Sequence, residues 1–268
     1  MSDVGYDLTD GVGTITLTRP EAMNALDTAT KVALRDAVRE AAEDDAVRCV
    51  LLTGTGRAFC VGQDLREHAE MLRAGDPALW RTVTEHYSPI ALTLATMDKP
   101  VVAGVNGVAA GAGAAIAMAA DLRIVAESAG FNLAFAGIAL SCDTGSSWWL
   151  PRLVGMTRAR DLLLRPRTVR GPEALEIGLA TEVVPDDELA DRAREVATRL
   201  AAGPTAAYGA IRRALAFSAT HDLEASLAHE AEHMAATGAT ADHREAVEAF
   251  LAKREPVFTG TRNRPGGR

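Results

Sequence analysis

The stretch CVLLTGTGRAFCVGQDL, residues 49–65, decides the fold class together with VVAGVNGVAAGAGAAIAMAAD, residues 101–121. Each opens on a run of aliphatic and β-branched residues, passes through a glycine-rich loop, and ends where a helix can begin. A short apolar run bounded by glycine reads as a strand buried on both faces. Outward from these two, residues 122–126 predict a third such strand and the neighbourhood of Val183 a short fourth. Asp27 or Thr28 can cap a helix running to about Glu43, with Val32, Leu34, Ala37, Val38 and Ala41 as its apolar positions. Further helical stretches are predicted around residues 65–73 and 79–96. Strands alternating with helices at this spacing imply parallel βαβ units whose crossover helices cover the sheet, so the core is α/β.

At the N-terminus, residues 6–9 and 12–18 flank the turn pair Asp10-Gly11 and predict an antiparallel hairpin. From about residue 187 the texture becomes helical, punctuated at Gly203-Pro204 and Gly238. The expected organisation is a core over residues 1–200, a helical region over 201–258, and a flexible tail over 259–268, rich in Gly, Arg and Pro.

Composition narrows the function. The 268 residues are 48% hydrophobic but only 4% aromatic, so the core must be built from aliphatics and alanine. A net charge of −8 argues against a nucleic-acid surface, which needs a basic footprint. Cys49, Cys60 and Cys142 form no CxxC pair and no disulfide framework, which suits a reducing cytoplasm. Residues 100–120 carry no charge and are long enough to span a bilayer. Their order, β-branched first and then Ala and Gly around Asn106, favours a buried strand, a turn and a tightly packed helix over a membrane span.

Two kinds of motif carry chemistry. His229-Glu230-Ala231-Glu232-His233 matches HExxH on a predicted helix, but Ala239 stands where the extended zinc motif needs a third histidine. The expected metal is therefore none. The glycine loops, residues 54–65 and 106–113, lack both GxGxxG and GxxxxGK[ST] spacing. Each can leave backbone N–H groups unpaired where a helix starts, and two such groups converging on one point would stabilise an oxyanion. Tight packing of backbone against a sheet would produce the same glycines.

These loops, in this order, resemble the crotonase, or enoyl-CoA hydratase/isomerase, superfamily. The likeness continues through Arg19-Pro20 with Asn24-Ala25-Leu26, Asp98-Lys99-Pro100, residues 119–123, residues 150–155, residues 174–180 and residues 249–258. It implies an α/β, crotonase-like spiral of ββα/βαβ turns with a C-terminal helical trimerisation region, assembled as a homotrimer or a hexamer. It implies a coenzyme A thioester as substrate and no permanently bound cofactor. By motif position the oxyanion hole would use the amides of Gln63 and Ala112. The thioester would lie near Asn24, Ala25, Leu26, Val61 and Phe135, with Arg66 as a phosphate partner and Lys253 and Phe258 contributing from the C-terminal region.

Departures from the family pattern bear on the reaction. The two glutamates of typical hydratases fall on Ala115 and Phe135, neither of which can move a proton. Asp143 instead stands where dienoyl-CoA isomerases and the ring-opening isomerases of phenylacetate degradation carry their aspartate. The resemblance therefore implies an isomerase that shifts a double bond by oxyanion-stabilised proton transfer through Asp143. Asp143 would otherwise only cap the helix beginning near Gly145. Two other readings stay open: a hydrolase or dehalogenase with Asp143 as nucleophile and His86 assisting, or a protein that binds acyl-CoA without turnover.

Overall fold

The computed structural model describes residues 3–260. Two sheets form its frame. The larger has six strands: β1 (Val4–Thr9), β2 (Val12–Leu17), β3 (Cys49–Gly54), β5 (Val101–Val105), β7 (Leu122–Ala126) and β10 (Glu182–Val184), in that order across the sheet. The hairpin at Asp10-Gly11 joins β1 and β2 antiparallel, pairing Thr9 with Val12. Every other neighbouring pair is parallel. The smaller sheet orders four three-residue strands as β4 (Ala58–Cys60), β6 (Val108–Ala110), β8 (Gly130–Asn132) and β9 (Thr168–Arg170).

The chain visits the sheets alternately. β3, β5 and β7 enter the large sheet, and β4, β6 and β8 follow each of them into the small one. The two glycine loops, expected as loops alone, therefore each contain a strand of the small sheet. A three-residue strand holds too little alternation to show in sequence, and its partners come from other turns of the spiral. Residues 100–120 resolve into β5, β6 and the seven-residue helix Ala112–Met118, all packed into the core. Among the described residues, no helix is long and apolar enough to cross a membrane.

Helices cover the large sheet. The helix Thr28–Glu43 starts where expected, its first turn capped by Asp27, whose carboxylate accepts from the Thr30 N–H. Leu34, Val38 and Ala41 form its buried stripe, and Lys31 lies on the same stripe with 1% exposure. Helix Leu189–Ala201 packs across the sheet through Ala193, Ala197 and Ala201. Only small residues allow that approach: a Cβ on Gly104 of β5 would sit 3.1 Å from the Ala193 Cβ.

The stretch expected as helical over 79–96 is helical throughout, with a π turn inside it. It comprises Ala78–Thr82, a single π turn at Val83–Tyr87, and Ser88–Thr96. Pro89 supplies the reason, because it has no N–H to give the Glu85 carbonyl. That carbonyl accepts from Arg35 Nη1 instead, at 3.3 Å.

Beyond residue 201 come helices Thr205–Ser218, Leu223–Gly238 and Ala241–Ala252. Arg212 docks the first on the core, donating to the carbonyls of Leu94, Met97 and Lys99 and pairing with Asp121. The expected tail, 259–268, lies outside the described residues from 261 onward. Its first two residues are tied down: the N–H groups of Thr259 and Gly260 donate to the Asp242 carboxylate at 2.8 and 2.9 Å. All three cysteines are free thiols, with Cys49 and Cys60 buried.

Candidate active site

The two glycine loops interlock. Gly62, at φ +82°, approaches the second loop so closely that a Cβ there would stand 2.8 Å from the Ala110 carbonyl oxygen and 3.1 Å from the Ala112 nitrogen. Gly113 has its side towards β4, where a Cβ would fall 2.7 Å from the Cys60 carbonyl carbon. Gln63 and Ala112, separated by 49 positions in sequence, are thereby brought to one place.

Their amides are uncommitted. Leu26 bridges the first loop, donating its N–H to Gly62 O at 2.7 Å and accepting from the Asp64 N–H at 3.0 Å. The Gln63 N–H between them donates to no acceptor among the described residues, and neither does the Ala112 N–H, the first of its helix.

A cavity of about 150 Å³ opens in front of these amides. Val61, Gln63, Ala112, Phe135 and Asp143 all line it, as do Leu65, Leu79, Trp80, Val83, Tyr87 and Leu140. The wall is largely apolar, the usual character of a small-molecule site. One carboxylate faces this wall. Burial pushes Asp143 above the ordinary carboxylate range, against the opposing pull of the Thr144 hydroxyl, which donates to Asp143 Oδ1 at 2.8 Å.

The loop carrying Asp143 is held in an uncommon conformation. Thr144 is buried at φ +53° and Gly145 follows at φ +81°, where a Cβ would meet Trp149 Nε1 at 2.6 Å. The helix Ser146–Val154 starts there with no side-chain cap; the backbone carbonyl of Asp143, not its carboxylate, accepts from the Ser146 N–H. Helix capping therefore does not account for the carboxylate.

The remaining expected site residues are placed as follows, and of them only Phe135 lines the cavity. Ala115 is fully buried one turn into the Ala112–Met118 helix, and Phe135 presents its ring to the cavity. Asn24 and Leu26 are fully buried and Ala25 nearly so, so their side chains serve the fold. Asn24 Nδ2 donates to the carbonyls of Thr55, Ala58 and Phe59, lacing the segment 19–26 to the first glycine loop. Arg66 is exposed in the first turn of helix Leu65–Ala74, one residue past the cavity-lining Leu65. His86 is outside the cavity wall, its Nδ1 3.3 Å from the Thr82 hydroxyl, and burial with Lys31 and Arg35 nearby lowers its pKa. Lys253 is exposed at the end of helix Ala241–Ala252, and Phe258 lines a separate groove with Pro204, Met234 and Ala246. His229 and His233 of the HExxH stretch face each other, Nε2 to Nε2 at 3.0 Å, and His229 stacks on Phe217. No group of three or more His, Cys, Asp or Glu side chains suited to a metal occurs among the described residues.

A family model for enoyl-CoA hydratase/isomerase matches residues 7–262. The chain belongs to the enoyl-CoA hydratase/isomerase family. Within it, the chain is 42% identical over 250 residues to the 1,2-epoxyphenylacetyl-CoA isomerase of Escherichia coli, covering 93% of this chain and 95% of that one. It is 32% identical to 4-chlorobenzoyl coenzyme A dehalogenase-2 of an Arthrobacter species, covering 93% and 91%. A crystal structure from Mycobacterium abscessus carrying the same family description superposes with a TM-score of 0.93 at 46% identity, over 96% of this chain and all of the other. The fold is thus the crotonase fold, and the alternating visits of β3 to β8 to the two sheets are its spiral turns.

Sequence reasoning missed one polar group of this enoyl-CoA hydratase/isomerase family member. Lys31 Nζ donates to Gln63 Oε1 at 3.2 Å and Thr82 Oγ1 at 2.9 Å, and it pairs with Glu67 Oε2 at 3.6 Å. The Tyr87 hydroxyl donates to the same Gln63 Oε1 at 2.7 Å. Burial, and then the Asp143 charge, hold the Tyr87 phenol well above its usual range, so it stays a neutral donor. The signal was in the sequence: Lys31 occupies the stripe of Leu34, Val38 and Ala41, and Tyr87 that of Ile90 and Leu94.

Proposed function

We propose that this family member is an acyl-CoA isomerase that moves a double bond by a single-base proton shift. The thioester oxygen sits between the N–H groups of Gln63 and Ala112, which stabilise the enolate as the α-proton leaves. Asp143 takes that proton from the α-carbon, the electron pair passes into the enolate, and the same carboxyl returns the proton at the γ-carbon. The molecular formula of the acyl group is unchanged, so no oxidant, reductant or water is consumed.

One observation carries this reading: Asp143 is the carboxylate lining the cavity that also contains the two free amides, and its side chain serves no cap. Its pKa, raised by burial, suits a group that must both take and return a proton. The positions that the family resemblance gives to hydratase glutamates hold Ala115 and Phe135, which cannot activate a water. The Escherichia coli relative's printed activity is also an isomerisation.

The nucleophilic alternative rests on the dehalogenase relative. It is weaker here because His86, the assisting base it calls for, is not part of the cavity wall. Coenzyme A reaches the site past Arg66, with Lys253 and Phe258 supplied by a neighbouring copy. A homotrimer or hexamer is supported by apolar side chains left exposed on the C-terminal helices, including Leu215, Met234 and Phe250.

The test is turnover of a panel of 2-enoyl, 3-enoyl and dienoyl thioesters, followed by product chromatography. Interconversion of positional isomers with no hydrated product is expected from the wild type. Hydroxyacyl-CoA as main product, or a covalent acyl adduct on Asp143, would overturn it; binding without turnover would favour the non-catalytic reading.

A further inference from the structure

The proton shift uses the backbone of Gln63 and leaves its side chain over. That carboxamide lies against two donors: Oε1 accepts from Tyr87 Oη at 2.7 Å and from Lys31 Nζ at 3.2 Å, so both lone pairs of the oxygen are taken. The two donors are not equivalent. A tyrosine hydroxyl can also accept, and would tolerate the carboxamide turned over; an ammonium has three donors and no lone pair, and would not. Lys31 is held in the charged form by Glu67 Oε2 at 3.6 Å. With 1% of the residue exposed, this ammonium settles which end of the Gln63 side chain is oxygen and which is nitrogen. A leucine or methionine would fill the stripe beside Leu34 without the desolvation cost of a buried charge, but would leave the amide free to turn.

The nitrogen end is the part left unmatched. Nε2 carries two N–H groups, and its one acceptor among the described residues is the Asp64 carbonyl at 3.5 Å, the outer limit of a hydrogen bond. At least one N–H therefore has no protein partner, on a half-buried residue that lines the cavity. The wall near it is otherwise apolar or committed. Leu79, Val83, Phe135 and Leu140 carry no polar side-chain atom, the Tyr87 hydroxyl is donated to Gln63, and Thr82 Oγ1 is bound by Lys31. His68 is the other polar side chain on this wall without a hydrogen bond for its ring among the described residues; it packs edge-on against Trp80, centroids 6.1 Å apart. A hydrocarbon chain filling the cavity would leave the Gln63 N–H dry and unpaired, which is costly, whereas an acceptor oxygen on the chain would satisfy it.

We infer that the acyl group selected here carries an ether or carbonyl oxygen beyond the reacting carbons, and that the Gln63 side-chain N–H, oriented by Lys31, is the donor that recognises it. The inference rests on the proposed reading of this cavity as the acyl-CoA site and adds a substrate class to it. Gln63 then has two separate roles, its backbone towards the thioester and its side chain towards the acyl group. Lys31 is a positioning residue that touches no substrate atom.

The experiment compares octanoyl-CoA with analogues in which an ether oxygen replaces carbon 5, 6 or 7 of the acyl chain. All are saturated, so none can be isomerised. Dissociation constants are measured by titration calorimetry for wild type, Gln63→Glu, Lys31→Met, Tyr87→Phe and His68→Leu. Each analogue is expressed as a ratio to octanoyl-CoA within the same variant, so a general change in thioester affinity cancels. Wild type is expected to favour one oxygen position over the other two by about 10-fold, the scale of one hydrogen bond. Gln63→Glu keeps an acceptor for Lys31 and Tyr87 but has no N–H, and should abolish the preference. Lys31→Met should lose most of it, whereas Tyr87→Phe should keep it, because Lys31 alone forbids the turned-over amide. His68→Leu should keep it too. No favoured position in wild type, a preference that survives Gln63→Glu or Lys31→Met, or one that disappears in His68→Leu would overturn the inference. If Lys31→Met does not fold, the Gln63→Glu ratio decides. No binding of octanoyl-CoA by wild type would remove the acyl-CoA reading and the inference together. Failure of the isomerase reading is seen separately, in the turnover of 3-enoyl thioesters.

Discussion

Replacing Gly113 by alanine sets two effects of opposite sign against each other. Gly113 lies in the helix Ala112–Met118, where alanine gains about 1 kcal/mol of helix propensity over glycine. Against that, the new Cβ would fall 2.7 Å from the Cys60 carbonyl carbon and 2.8 Å from the Cys60 Cβ. Carbon pairs rest at roughly 3.5–4.0 Å, so the two loops must part by about 1 Å. Cys60 cannot simply yield, because it pairs with Ala109 in the small sheet and its side chain is fully buried. Overpacking of this kind costs about 1–3 kcal/mol, and the rigid backbone on one side places this case at the upper end. The net effect expected is a loss of about 1–2 kcal/mol, or roughly 2–8 °C in melting temperature for a chain of this size. The same 1 Å separates the amides of Gln63 and Ala112, and kcat should fall about 100-fold. Gly238→Ala is the control: nothing lies within 4 Å of its Cβ position, so it should melt at or above the wild-type temperature. Thermal melts by circular dichroism and isomer turnover read both quantities. A Gly113→Ala protein that melts and turns over like wild type would refute the interlock.

Asn24→Ala removes three donations to loop carbonyls and places alanine at φ +56°, so a loss of roughly 3 kcal/mol is expected, about 6–12 °C in the melt; a drop under about 2 °C would show that the lacing is unimportant. Asp143→Asn should raise the melting temperature at neutral pH. The buried carboxyl has a raised pKa, so the folded state holds its proton longer than the unfolded state as pH rises, and stability is lost through that window. The gain should vanish below the ordinary carboxylate range, and a gain that persists there would contradict burial as the cause. For the same reason the acid limb of kcat/KM should lie above the usual carboxylate pKa in the wild type, with activity rising as Asp143 deprotonates; a limb in the ordinary range would place the catalytic group elsewhere.

The parallel strands were legible because β3, β5 and β7 are covered on both faces, which leaves continuous apolar runs in the sequence. The small sheet was not, since β4, β6, β8 and β9 take their identity from partners far along the chain. Loop geometry brought Gln63, Ala112, Phe135 and Asp143 to one cavity, and motif order had already paired the first two. Lys31 was hidden by its type: a lysine in an amphipathic helix reads as solvent-facing, although its position on the stripe of Leu34 and Val38 said otherwise. The π turn before Pro89 escaped notice because apolar periodicity runs through it, and only the missing N–H records it.

In the proposed isomerase, Asp143 carries the proton between carbons of the acyl group. That role is tested most directly by incubating wild type and Asp143→Asn with a 3-enoyl-CoA in D₂O and following deuterium at the α- and γ-carbons by mass spectrometry, with thioester binding measured in parallel. Asp143→Asn is expected to bind the thioester as wild type does and to incorporate deuterium at least 100-fold more slowly, about 2.7 kcal/mol in barrier. Deuterium incorporation at the wild-type rate in Asp143→Asn would contradict it.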